Sequence, residues 1–488
     1  MKTFIQKFLQ KNNLLKEISI YGVGNIFTRL ISYFLVPIHT KFLSPNSYGI
    51  ICELYSYLAF LQVIYTLGLD SAYFKFARVK IYSHFAKTFS LLTSLFFSAI
   101  IFGGLYFSGF LNKITSFTSI KKSYILICLA ILCIESMLNV SFLNLRYKKK
   151  LKKFSALKIL QVTLNLFFNS LIFFSHANIF SITEELLVLF VFASNFFSSV
   201  IIFFIFNLYD ERFKFFFSKK LFFRSIKIGL PFVYMSLVLI CNDVLGKISL
   251  RLWLPQKFFI GPSMQHTIGV LSACQKIASV ITLCTQAYRF ALEPLFFRGN
   301  YLKENFYNRN LFWFTNLGCL AIVLISLNIN IIAKIFLGRG EYAVALKIIP
   351  SILVSNFLSG IYYNLSFWTK TLNKLKIGTF ISTFNFFSNI FLNFLLIPKV
   401  GYWGVSISSI ISACLSCSIA FLLAKKNNIH FKIFHLMLFL PLTLFFSNYF
   451  INIDLENIAI LKNVLYSIIV FVIYLIMSFK LFKISALK

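Results

Sequence analysis

Apolar residues run through the chain in fourteen stretches, at about 18–38, 49–69, 88–110, 123–143, 156–175, 185–206, 227–248, 265–288, 310–328, 343–366, 377–397, 402–424, 433–450 and 460–479. Polar residues gather in the short segments between them. A bilayer core about 30 Å thick takes about 20 residues of helix, and only helices or closed barrels satisfy every backbone group inside it. Runs this long and continuous predict an all-α polytopic membrane protein with about 14 transmembrane helices. Lys and Arg fall overwhelmingly in every second loop, most densely at 144–158, where Arg146 is followed by Lys148, Lys149, Lys150, Lys152, Lys153 and Lys158. The positive-inside rule then places both termini in the cytoplasm. Ahead of the first span, Lys2, Lys7, Lys11 and Lys16 alternate with Phe4, Phe8 and Leu15. This pattern predicts a short interfacial helix over 1–17, retained rather than removed, because no small-residue cleavage pattern follows.

Composition sharpens this picture by exclusion. With 59% hydrophobic residues and 13% charged ones, no soluble domain is left over. The formal charge of +34 would suggest nucleic acid in a soluble chain, but cations confined to loops between apolar spans orient helices against anionic headgroups. Membrane lipids are therefore expected partners, and nucleic acid is not. The nine cysteines lie in or at the ends of the spans, and Cys414 and Cys417 sit among small residues that read as helix packing. The six histidines show no ligand spacing, so neither metal nor cofactor is predicted. Sixty-four phenylalanines, with heavy Lys usage, look like drift toward AT-rich codons; most face lipid or pack helices.

Ionisable residues inside spans are costly and mark cavities or partners. Here they are Arg29 in the first span, Glu53 in the second, Glu135 in the fourth, Asp243 and Lys247 in the seventh, Lys276 in the eighth and Lys347 in the tenth. In the eighth span Gln265, Gly269, Ser272, Lys276, Ser279 and Gln286 recur at helical spacing and define a polar stripe. Gly22, Asn25, Arg29 and Ser32 do the same in the first. Asp243 and Lys247 stand at i and i+4, where they can neutralise each other. Arg29 and Lys276 have no carboxylate within a turn of their own helices. They either pair across helices with Glu53, Glu135 or Asp243, or they line a basic cavity for an anion. The longest outer loop, 249–264, carries Arg251, Trp253 and Lys257 but no carboxylate. This argues against a membrane glycosyltransferase or polymerase, whose chemistry on sugars calls for acidic groups.

The halves echo one another. Ile-Tyr-Gly-Val-Gly (20–24) and Ser-Pro-Asn-Ser-Tyr-Gly-Ile (44–50) open spans one and two; Lys-Ile-Gly-Leu-Pro (227–231) and His-Thr-Ile-Gly-Val (266–270) open spans seven and eight. Repeats with a site at their interface are a common transporter plan. Tyr21 to Ser32 running into Phe42 to Gly49, with Gly68 to Phe76, Ile268 to Ala278 and Leu392 to Val405, together resemble the polysaccharide transporter family. These are the Wzx-type flippases of O-antigen and capsule repeat units, within the multidrug/oligosaccharidyl-lipid/polysaccharide exporter superfamily. The resemblance implies a six-helix lobe over 18–206, a cytoplasmic linker at 207–226, a second lobe over 227–424, and two further helices with a cytoplasmic tail over 425–488.

It implies a central cavity lined by the first, second, seventh and eighth helices, and a substrate that is an oligosaccharide on a polyprenyl diphosphate. Arg29, Lys247, Lys276, Arg251, Asn25 and Gln286 are the candidates for the diphosphate headgroup, since Arg engages phosphate bidentately and Lys as a point charge. Asp243, Glu53 and Glu135 are candidates for coupling or gating. The expected activity is not enzymatic: repeat units move from the cytoplasmic to the outer leaflet of a bacterial inner membrane, beside the polysaccharide polymerase and other assembly proteins. Asp243 beside Lys247 departs from the family's cationic pattern. A lipid II flippase shares the expected fold; a multidrug exporter does too, but mostly cationic substrates would favour carboxylates over cations.

Overall fold

The structure, a computed structural model, describes residues 22, 24–78, 81–107, 120–178, 183–209, 214–296, 304–372, 374–427 and 431. Among these residues there are helices and connecting turns and no strand. The chain is a multi-pass membrane protein: among the described residues 11 helices are long and apolar enough to cross a bilayer, and they fall on the second to twelfth predicted spans. The predicted 1–17 helix and the spans at 433–450 and 460–479 lie outside the described residues.

Two compact units divide the chain, residues 1–245 and 246–488. In the first, α1 (24–33) turns at Phe34 into α2 (Leu35–Phe42). Then come α3 (Pro45–Thr66), α4 (Leu69–Phe76), α5 (Tyr82–Phe107), α6 (Lys122–Tyr147), α7 (Leu151–Asn178) and α8 (Glu184–Tyr209). The next helix, α9 (Lys219–Trp253), is continuous, and the division between units falls within it rather than in the 207–226 segment.

The start of α3 shows why this order folds. Pro45 occupies the first turn, where its missing N–H costs nothing, and Ser44 caps the helix. Glu184, opening α8, accepts hydrogen bonds from the hydroxyls of Ser44 (2.5 Å) and Ser47 (2.7 Å), fastening two distant segments. At its other end α3 stops where Leu67 and Gly68 both take left-handed backbone angles, which only glycine adopts without strain. A Cβ on Gly68 would run into the carbonyl of Gly229, and one on Gly229 into that of Leu67, so α9 meets the α3–α4 joint backbone to backbone.

The second unit contains α10 (Met264–Ala278), α11 (Val280–Phe296), α12 (Glu304–Leu327), α13 (Ile329–Phe336), a 3₁₀ segment Gly340–Ile348, α14 (Ile349–Ser366), α15 (Leu375–Val400) and α16 (Trp403–Lys426). Lys347 therefore lies in the 3₁₀ segment that opens the tenth span. Tyr342, Phe357, Phe367 and Trp368 are fully buried here. Between α15 and α16 a polar bridge adds to close packing of Gly404 on Ile397: Asn389 donates to Ser409 (3.5 Å) and accepts from Asn393 of its own helix (2.7 Å). Such bonds join helices where lipid offers no hydrophobic drive. Cys414 and Cys417 are free thiols, and Cys417 contacts the carbonyl of Leu358 on α14. On the outward side of α15, Phe380, Phe384, Phe387, Phe391 and Phe394 are all exposed at steps of three and four, forming a continuous aromatic face.

Candidate functional site

Among the described residues, a cavity in the first unit and a helix break in the second bring polar groups into membrane-length helices. The first is a cavity of about 530 Å³ inside the first unit, walled by α3, the α3–α4 joint, α6, α7 and the first half of α9. Its charged lining is Asp70, Glu135 and Lys158, and its amides are Gln62, Asn139 and Gln161. Each wall follows from local structure. Gly68 lets the chain turn sharply enough for Asp70 to stand in the first turn of α4, where the helix dipole favours an anion. The backbone contact with Gly229 brings Phe232, Val233 and Ser236 of α9 into the lining.

The charges in this cavity are tied down. Asp70 accepts a 2.7 Å hydrogen bond from Asn139 Nδ2. Glu135 accepts one from Asn195 of α8 and lies within electrostatic reach of Lys158. Lys158 Nζ donates to Gln161 Oε1 (3.4 Å) and sits 4.2 Å from the centre of the Phe142 ring, a favourable place for a cation. Gln161 Nε2 donates in turn to Ser199 (3.0 Å). Gln62 Oε1 is the exception: it is buried and accepts no hydrogen bond among the described residues.

The second place is the join between α10 and α11. The eighth predicted span is one membrane-length stretch, Met264–Arg289, interrupted at Ser279. There the Ser279 hydroxyl donates to the carbonyl of Lys276 (2.8 Å), and the Ser279 N–H is shared between Gln275 and Lys276. Lys276 thus occupies the last turn of α10, near the middle of the span, and is exposed. Its ammonium makes no ion pair among the described residues. Arg29, in α1, is likewise exposed and without an ion pair among them.

The other predicted residues are spread out. Asn25 is half-buried, and its carbonyl accepts from Thr28. Lys247, Arg251 and Gln286 are half-buried in the second unit. Glu53 is buried and accepts a 2.6 Å hydrogen bond from Tyr57, one turn along α3. The Asp243 side chain lies outside what the structure describes, so its pairing with Lys247 is not seen. Of the polar stripe in the eighth span, Gln265 and Ser272 are buried within the unit and only Lys276 emerges fully. Sequence reasoning missed Asp70, Lys158, Gln62, Asn139 and Gln161. Lys158 was counted with the basic 144–158 loop, and Asp70 stands within the family-like stretch 68–76 without having been singled out.

Against known proteins, the profile of the family described as "Polysaccharide biosynthesis protein" matches residues 14–299, more than half of the chain. No curated protein matches in sequence. Among solved structures, the lipid II flippase MurJ in an inward closed conformation superposes with a TM-score of 0.68 at 16% identity, covering 94% of this chain and 98% of that one. An inward-facing multidrug resistance MATE transporter of the MOP superfamily gives 0.62 at 14%, over 84% and 94%. A MOP superfamily transporter from Pyrococcus furiosus, described as having a binding pocket of reversed polarity, gives 0.54 at 14%, over 85% and 95%. The chain shares its fold with the solved lipid II flippase and multidrug resistance transporter structures, and it belongs to the polysaccharide biosynthesis protein family.

Proposed function

We propose that this protein flips polyprenyl-diphosphate-linked oligosaccharide repeat units from the cytoplasmic to the outer leaflet of a bacterial inner membrane, for surface polysaccharide such as O-antigen, capsule or exopolysaccharide. Both termini are cytoplasmic in this reading, and no bond is made or broken. The observation that carries it is Lys276: an ammonium near the middle of a membrane-length stretch, exposed at a helix break and without an ion pair among the described residues. Against lipid such a charge is costly; against a diphosphate it is a binding group. Arg29, exposed in the first predicted span, supplies a second cation with bidentate reach. Lys247, Arg251, Asn25 and Gln286 complete the proposed headgroup set. The membrane potential acting on charge that moves with the site supplies about 2.3 kcal/mol per unit charge per 100 mV. Coupling through Asp243, Glu53 or Glu135 would add to it.

The test is complementation of a strain lacking its O-antigen flippase, at matched membrane levels. Wild type restores surface polysaccharide, while Arg29→Ala and Lys276→Ala abolish it. A well-expressed wild type that fails there but rescues loss of the lipid II flippase would keep the fold and replace the substrate.

A further inference from the structure

The cavity of the first unit is unexplained by a diphosphate. A phosphate group meets two carboxylates in that lining, Asp70 and Glu135, against one ammonium, Lys158; Arg146, which stands over the Phe74 ring, acts on Asp70 electrostatically but is not part of the lining. A bare metal cation fits no better. Lys158 competes for Glu135, and both carboxylates already hold amide N–H donors, from Asn139 and Asn195. What remains is a volume of about 530 Å³, within the range of small-molecule sites. Its lining has hydrogen-bonding groups of both kinds together with the apolar side chains of Phe232 and Val233. The buried Gln62 Oε1 lacks a donor, and buried acceptors are ordinarily satisfied.

We propose that this cavity is a carbohydrate subsite, which holds one uncharged, hydroxyl-bearing sugar ring of the lipid-linked glycan through Asp70, Gln62, Glu135 and Gln161 and discriminates against uronic acids. The assignment rests on the flippase reading for the carrier to which the sugar is attached. Hydroxyls donate to the second oxygen of Asp70, to Gln62 Oε1 and to Glu135, while Lys158 and the amide N–H groups donate to ring and hydroxyl oxygens. Val233 and Phe232 give the apolar face of the ring a surface. A uronate brings a third carboxylate into a space with one ammonium, and a site built on hydroxyl recognition rejects such a misfit strongly.

The experiment measures equilibrium binding to the full-length protein in nanodiscs, with two lipids: undecaprenyl diphosphate, and the same lipid bearing one N-acetylglucosamine. In wild type the sugar raises affinity about tenfold, the scale of one charge-assisted hydrogen bond. Asp70→Asn and Gln62→Ala each remove most of that increment and leave the bare lipid bound as before, which also shows that they fold. Arg29→Ala weakens both lipids alike. Replacing the sugar by glucuronate removes the increment. Should Asp70→Asn and Gln62→Ala weaken both lipids equally, or neither, the subsite is overturned; glucuronate binding as tightly overturns the discrimination. If wild type binds neither lipid, the flippase reading fails. Methyl N-acetylglucosaminide then decides this one: binding lost in Asp70→Asn sustains the subsite, and no binding overturns it.

Discussion

The cavity of the first unit and the helix break of the second both hold charge within membrane-length helices, yet they treat it in opposite ways. In the cavity every charge has a fixed neighbour: Asp70 has Asn139, Glu135 has Asn195, and Lys158 has Gln161 and the Phe142 ring. At the break, Lys276 is held through its backbone, by Ser279, and its ammonium is exposed and makes no ion pair among the described residues. A tethered set keeps its geometry whether or not a ligand is present, which suits discrimination among similar rings. A loosely held ammonium can follow a mobile anion. The difference separates recognition from carriage, and substitutions can probe each side of it.

The largest effect is expected at the glycine contact that shapes the cavity. Gly68→Val puts a β-branched residue at a left-handed position against the Gly229 carbonyl. It should cost more than about 4 kcal/mol, seen as a collapsed melting temperature in nanodiscs or as failure to reach the membrane. Next comes the charge set itself. A double-mutant cycle with Glu135→Gln and Lys158→Met should give a coupling of about 1–3 kcal/mol in thermal or denaturant unfolding; a coupling near zero would place the cavity charges on the same footing as Lys276.

Lys276→Ala should leave unfolding within about 0.5 kcal/mol of wild type while lowering lipid flipping at least about tenfold in a vesicle assay, with Lys276→Arg retaining most of it. A stability loss as large as the transport loss would make Lys276 structural and erase the contrast. The smallest effect belongs to Ser279→Ala, which removes one hydroxyl bond at the break. It should cost about 1 kcal/mol or less and change flipping less than twofold, as measured side by side with Lys276→Ala.

The helices were legible in the sequence because a span is a statement about length and continuity, and fourteen such runs leave little freedom. Interior faces were legible only in part. The repeat from Gln265 to Gln286 puts Lys276 on a polar stripe, and along that stripe Lys276 is exposed while Gln265 and Ser272 are buried against protein. Periodicity says which residues share a face and is silent on what the face meets. Lys158 was hidden by its position: at the edge of a basic loop, the positive-inside rule already accounts for it, although Gln161 three residues on marks a polar face. Asp70 was hidden because α4 is a short helix that begins where the predicted span 49–69 ends, brought to the cavity by two left-handed residues that no hydropathy pattern records.

The aromatic face of α15 bears on a practical matter, the extraction of the protein. From Phe380 to Phe394 the exposed rings form a ribbon about 21 Å long at 1.5 Å per residue, most of the thickness of a hydrocarbon core. A micelle has to cover that ribbon along its whole length. Detergents with short chains leave one end bare, and the bare rings of two molecules can then stack on each other, so the chain length of the detergent sets whether the purified protein stays monodisperse.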